Sequence, residues 1–267
     1  MRTRHRSRLV PVALVLGLAL GACGGSSGKG SAALSTASTA TSAPTSTSAA
    51  TPTTTTPAVD RTGLVMQAAL LRQSDLPNTW TDSGASSAAA ATEAQIALAR
   101  SIPACRAFAR TSQQENGRKK ASSNKFVDST APPSAQGQVS NDVVAWPTIA
   151  AAKAAYSVYS APGMRSCLDT LFRKLVLQQA AGSGLKVTIS VENLPVPAVG
   201  DAAIGYEAVV LIGTVPTPQQ LGFIVQIVRV GRYTVAYNGT LYKSAPADFG
   251  KHLVARSIAR LEAVPSS

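Results

Sequence analysis

The chain has 267 residues, 45% of them hydrophobic and 14% charged, with 25 basic against 13 acidic side chains. That composition excludes collagen, a coiled coil and disorder throughout. Arg2, Arg4, Arg6 and Arg8 all fall in the first eight residues, and without them 21 basic side chains face 13 acidic ones, a net charge of +8.

After that basic start, Leu9 to Ala22 run fourteen residues without a charge, the pattern of a secretory signal peptide over 1–22. Fourteen residues are too few to span a bilayer, which takes about 20. The run ends in Leu20-Gly21-Ala22-Cys23 followed by Gly24-Gly25, and this resembles the lipobox of bacterial lipoproteins. The resemblance implies cleavage before Cys23, a diacylglycerol on its sulfur and a freed amine open to acylation. Each buried CH₂ of such chains contributes about 0.8 kcal/mol. A chain built in this way is lipid-anchored at the cell membrane, on its extracytoplasmic side.

From Gly24 to Asp60 every residue except Lys29, Leu34, Val59 and Asp60 is Ser, Thr, Ala, Pro or Gly. Residues 23–60 therefore read as a lipidated Cys and a disordered linker, because nothing apolar offsets the entropy of ordering. As a flexible chain the linker spans on the order of 33 Å. Its run Thr51-Pro52-Thr53-Thr54-Thr55-Thr56-Pro57 suits an O-glycosylated stalk and a bare spacer equally.

Residues 61–267 read as one α+β domain, long enough for a single sizeable core. Leu64 to Arg72 is a short apolar helical segment, Ser74-Asp75-Leu76-Pro77 a turn, and Thr92 to Arg110 an Ala-rich helix interrupted near Pro103. Ser122 to Asp128 and Gln138 to Trp146 read as strands, the second stopped by Pro147. Helical spacing returns over Thr148 to Tyr159 and Gly163 to Ala181, where Met164, Leu168, Leu171 and Leu175 share a face.

Alternation then takes over. Ile204, Tyr206, Ala208, Val210 and Ile212 point one way, and Gly205, Glu207, Val209 and Leu211 the other. Phe223 to Val230 and Tyr233 to Tyr237 are joined by Gly231-Arg232, with glycine where a type II′ turn needs positive φ. Asp248 to Glu262 closes the chain as an amphipathic helix, with Phe249, Leu253, Ile258 and Leu261 inward and Lys251, Arg256 and Arg260 toward water. The expected class is α+β, a largely antiparallel twisted sheet packed with helices on one side.

The run Leu71 to Trp80, the helical Cys105, the segment from Val143 to Cys167, and Gly200-Asp201 with Val228-Arg229-Val230-Gly231-Arg232 together resemble actinobacterial sensor-type lipoproteins, similar to the extracellular sensor domain of mycobacterial serine/threonine kinases. The chain departs from that pattern in holding two cysteines rather than two disulfide pairs, and no family site residue is carried over. The resemblance implies an extracytoplasmic binding or sensing module without a kinase.

Chemistry-bearing residues are few. With Cys23 assigned to lipid, Cys105 and Cys167 remain in an oxidising compartment, and one intramolecular bridge is the economical reading. Two buried thiols and a redox pair are the others. A bridge would close a loop of about 60 residues, worth roughly 4 kcal/mol by chain entropy. His5 leaves with the signal, so His252 is the one histidine of the mature chain, and it reads as a surface residue rather than a metal ligand or catalytic base. Ser122-Ser123-Asn124-Lys125 fits S-x-x-K without the companion motifs of penicillin-binding enzymes. No nucleotide or calcium motif is present, and the scattered Asp and Glu show no carboxylate pair.

Three classes compete: a binding or sensing module, an envelope enzyme, and a carrier or structural lipoprotein that moves or organises lipids or wall polymers. The residues favour binding, because acid, base and nucleophile roles have nothing to occupy them. No catalytic residue, metal or cofactor is expected. Tyr206, Glu207, Arg229, Tyr237 and Asn238 are the candidate ligand-binding residues, polar groups on and around an apolar sheet that carries Ile204, Phe223 and Tyr233. The expected partners are the membrane, through the lipid anchor, and an envelope lipid, glycan or protein. Arg118-Lys119-Lys120 with Lys125 and the Arg256/Arg260 stripe suit anionic polymers or head groups, or simply a solvated surface. Nucleic acid is not expected as a partner of an exported chain.

Overall fold

A computed structural model describes residues 60–86, 93–130, 136–180, 186–213, 219–241 and 249–264. The predicted signal peptide, Cys23 and the linker up to residue 59 lie outside them, while Asp60, expected as the linker's last residue, is the N-terminal cap of the first helix, accepting from the Gly63 N–H. The alternation read in the last third organises the sheet: β6 (Ala202–Ile212) pairs along its whole length with β7 (Gln219–Val230), and β7 with β8 (Tyr233–Leu241). Gly231 turns the β7–β8 hairpin at φ +55°, while no described non-glycine residue has positive φ. That is the sign pattern of a type II′ turn. Inward of this hairpin lies β4 (Gln138–Ala145), paired with β8. The remaining strands are β1 (Trp80–Ala85), β2 (Lys119–Ser122), β3 (Asn124–Asp128) and β5 (Val187–Asn193). The sheet order is β1-β3-β4-β8-β7-β6-β5, with β2 also on β4, and all pairs are antiparallel.

The expected strand at Ser122 begins earlier, at Lys119, and is broken once. Ser122 faces Asp142, yet Phe126 faces Val139, so the β2–β3 side carries one residue more than β4 opposite it, a bulge. Ser123 absorbs it: its N–H donates to the Asn141 carbonyl at 2.9 Å, and its hydroxyl oxygen accepts from the Asn141 N–H at 2.9 Å.

The α+β class and the antiparallel sheet are as expected, and the helical cover is two layers rather than one. On one face lie α2 (Glu93–Ser101), α3 (Arg106–Asn116), α4 (Ile149–Tyr159) and α5 (Met164–Ala180), over Tyr206, Ala208, Val210, Phe223 and Ile227. On the other lie α1 (Arg61–Ala68) and α6 (Phe249–Glu262), over Ile224, Val228, Val235 and Tyr237. The cause is the run Phe223-Ile224-Val225-Gln226-Ile227-Val228, which is apolar on both faces of β7, so each face must be covered.

Three long-range ties position these layers. Asn141, fully buried, accepts from the Leu71 N–H and donates to the Ala69 carbonyl, both at 2.8 Å, fixing the end of α1 on β4. Cys105, in a short 3₁₀ turn before α3, is bridged to Cys167 of α5 with Cα atoms 4.8 Å apart. Arg260, expected toward water, instead holds buried Asp75 through two bonds of 2.6 and 2.7 Å and donates to the Ala68 and Leu70 carbonyls. A guanidinium on the core-facing edge of α6 is drawn in because its fork matches the carboxylate and the open carbonyls at the end of α1. Arg256 is exposed, as expected, and Leu253, Ile258 and Leu261 are buried.

Candidate functional site

The sheet face under α3, α4 and α5 is not completely filled. A cavity of about 60 Å³ remains, floored by Val144, Tyr206, Val225, Ile227 and Ala236 and roofed by Phe108, Tyr159, Met164 and Leu168. Its polar groups are Glu115 and Ser112 from α3, Asp142 from β4, and Thr234 and Asn238 from β8. Period-2 geometry puts Asp142, Val144, Thr234, Ala236 and Asn238 on this face, since all are even-numbered positions of two directly paired strands.

The two carboxylates are buried, at 3% and 1% exposure for Glu115 and Asp142. Tyr159 donates its hydroxyl to Glu115 Oε1 at 2.6 Å. Asp142 accepts from the Ser122 hydroxyl at 2.5 Å and from Asn238 Nδ2 at 3.3 Å. Burial pushes the Asp142 carboxyl up to about 7 and the Glu115 charge adds to the rise, while the Ser122 hydrogen bond and the Lys120 charge oppose it. Asp142 therefore exchanges its proton near neutrality inside a mostly apolar pocket. Such a site accepts hydrogen bonds from donor groups, amine or hydroxyl, of a small guest.

Beside the cavity, an open groove of about 900 Å³ runs between α5 and the edge strand β5. Arg165, Asp169 and Arg173 form its helical wall, and Ile189 to Asn193 its strand wall. Arg173 is fixed there by Asp169, at 2.9 Å, and by donation to the Ile189 carbonyl at 2.8 Å. Tyr206 borders both groove and cavity. Its hydroxyl donates to the Tyr159 carbonyl at 2.6 Å, and burial raises its phenol.

Of the five residues expected to bind ligand, Tyr206 and Asn238 come together at this cavity. Arg229 shares their face but lies at the hairpin end, bound to Asp201 at 2.6 Å. Glu207 and Tyr237 lie on the opposite face, because each follows or precedes a cavity residue by one position in a strand. Glu207 is half-buried opposite Glu192, its carboxyl raised by burial and then by that charge, and its Oε1 has no hydrogen-bond partner. Tyr237 shares a hydrogen bond with the Ser257 hydroxyl of α6, and its burial raises the phenol. Phe223 packs on Phe172 of α5, ring centres 5.5 Å apart.

Glu115 and Asp142 were not among the expected residues. Asp142 had a signal, a charge inside the apolar strand Val139 to Trp146, where buried polar residues are informative. Glu115 had none, since only the packing of α3 on the sheet brings it to Asp142. The S-x-x-K tetrad is split by the bulge, with Ser122 on β2 bound to Asp142 and Lys125 on β3. His252 is exposed on α6. Among the described residues no group of three or more His, Cys, Asp or Glu is placed to hold a metal ion, and no helix is long and apolar enough to cross a membrane.

No family model matches the chain, and no curated protein does. Among solved structures it has weak similarity to the extracellular domain of PknH from Mycobacterium tuberculosis, with 15% identity and a TM-score of 0.30, covering 61% of this chain and 76% of that one.

Proposed function

We propose that the chain is an extracytoplasmic lipoprotein, tethered to the membrane through Cys23, whose folded part is a non-catalytic binding or sensing module. The ligand lies in the groove between α5 and β5 and inserts a small donor-bearing group past Tyr206 toward Glu115 and Asp142. One observation carries this reading: an apolar cavity holding two buried carboxylates adjoins an open groove, with Tyr206 shared between them. Binding requires nothing beyond these groups. The volume weighs against a carrier of acyl chains, since an engineered cavity of about 150 Å³ holds only one benzene and this one has about 60 Å³.

Native mass spectrometry of the mature chain, purified from its own host's envelope, tests the reading. A small molecule should be retained by the wild type and lost from Ala236→Leu, which places a branched side chain in the cavity. Retention unchanged by that substitution would place the ligand elsewhere. Co-purified long-chain lipid would favour the carrier.

A further inference from the structure

Asp60, the first described residue, stands 37 positions beyond Cys23. It caps α1 and meets Lys119 Nζ at the start of β2. Two residues on, Thr62 Oγ1 accepts from Arg232 of the β7–β8 turn at 2.7 Å. The Arg232 carbonyl in turn accepts from the Trp146 N–H at 2.9 Å, and Arg118 lies over the Trp146 ring, 5.8 Å from its centre. Arg61, Arg118, Lys119 and Arg232 therefore ring the point where the chain enters the fold, and the first three are exposed. The carboxylates met along this path, Asp60 and Asp201, are each held by a cation, Lys119 and Arg229.

Apolar side chains stand at the same end. Three large ones are exposed among the described residues, and two of them are Leu64, in the first turn of α1, and Ile149, three positions past Trp146. Cations beside exposed Leu and Ile suit a lipid interface, where the charges meet anionic head groups and the side chains enter the acyl boundary. We propose that this end of the molecule, around Asp60, is the face that docks on an anionic phospholipid surface. The proposal rests on reading the chain as tethered through Cys23. Charge complementarity names the occupant, and Asp60, the first described residue, lies at this same end.

The test uses the mature chain carrying Cys23→Ser, which bears no acyl group whether or not the native chain does. It is sedimented with vesicles of phosphatidylcholine alone or mixed with phosphatidylglycerol. Binding should be confined to the anionic vesicles and fall steeply with added salt. Reversing Arg61, Arg118 and Lys119 to Glu should weaken it by well over a hundred-fold, since losing three cations at about 1 kcal/mol each already gives roughly that factor. Their replacement by Gln should weaken it less, with thermal unfolding confirming that each variant folds. Reversing Lys174 and Lys186, which lie at the other end of the sheet beside Ile189 and Gly213, should leave it unchanged. Equal binding to neutral vesicles, no binding to either, or indifference to the first reversal overturns the proposal. So does stronger retention by a soluble polyphosphate at equal phosphate, which would assign the face to a wall polymer. Mass analysis of the wild-type N-terminus tests the tether separately, so the two readings fail independently.

Discussion

Asp142 occupies a position where a charge is costly: 1% exposed, on a central strand, with the Glu115 carboxylate acting on it. The protein holds it by supplying donors, Ser122 and Asn238, and by raising its proton affinity. Folded Asp142 keeps its proton to about pH 7, against a reference value of 3.8. Between those values the folded state binds more protons than the unfolded chain, so stability falls as pH rises from about 4 to about 7 and levels above that. The fall attributable to this group is on the order of 4 kcal/mol across the window. Asp142→Asn keeps an acceptor for Ser122 and removes the titration, so its stability should be flatter over that range and greater than wild type at pH 8. Urea midpoints measured from pH 4 to 8 check this, and a variant curve as steep as the wild type's would assign the dependence to another group.

At the scale of elements, the Cys105–Cys167 bridge ties the start of α3 to α5, two of the helices that roof the cavity. With its ends 62 positions apart in sequence, its chain-entropy contribution is about 4 kcal/mol. Cys105→Ala with Cys167→Ala should lower unfolding stability by that order and loosen the roof, so amide exchange should quicken in α3 and α5 more than in α6. Uniform quickening would show that the bridge does not hold the roof in particular. Sequence pattern gave most of these elements, since β6, the β7–β8 hairpin, α4 and α5 carry long runs of one period. It lost β1, where Trp80 alone is buried in an edge strand. It lost β5 although Val187, Ile189 and Val191 alternate as a strand should. Half of the candidate site was hidden for a different reason: Tyr206 and Asn238 show as polar groups on apolar strands, but Glu115 reaches the cavity only through the packing of α3. The outward reading of Arg260 failed likewise, because its partner Asp75 is 185 residues away in sequence.

For the molecule as a whole, the decisive feature is that one sheet serves two cores. Alternate residues of β7 feed both: Phe223 and Ile227 pack under α2–α5, and Ile224 and Val228 pack under α1 and α6. Neither helical layer can leave without exposing a sheet face that the other layer cannot cover, so the described domain should unfold as one cooperative unit. Its two tryptophans report the two sides separately. Trp80 is buried in the cluster beneath α1 and α6, while Trp146 is buried with Val144, Ala152 and Ala155 beneath α4 and donates to Thr234 Oγ1 at 3.0 Å. Trp80→Phe leaves Trp146 as the sole indole, and Trp146→Phe leaves Trp80. In each variant the fluorescence midpoint in guanidinium should coincide with the far-UV circular dichroism midpoint, whatever the substitution costs in absolute stability. If Trp146 fluorescence changed at lower denaturant than the dichroism in the Trp80→Phe protein, the α2–α5 layer would be opening first, and the cavity would be a separable unit.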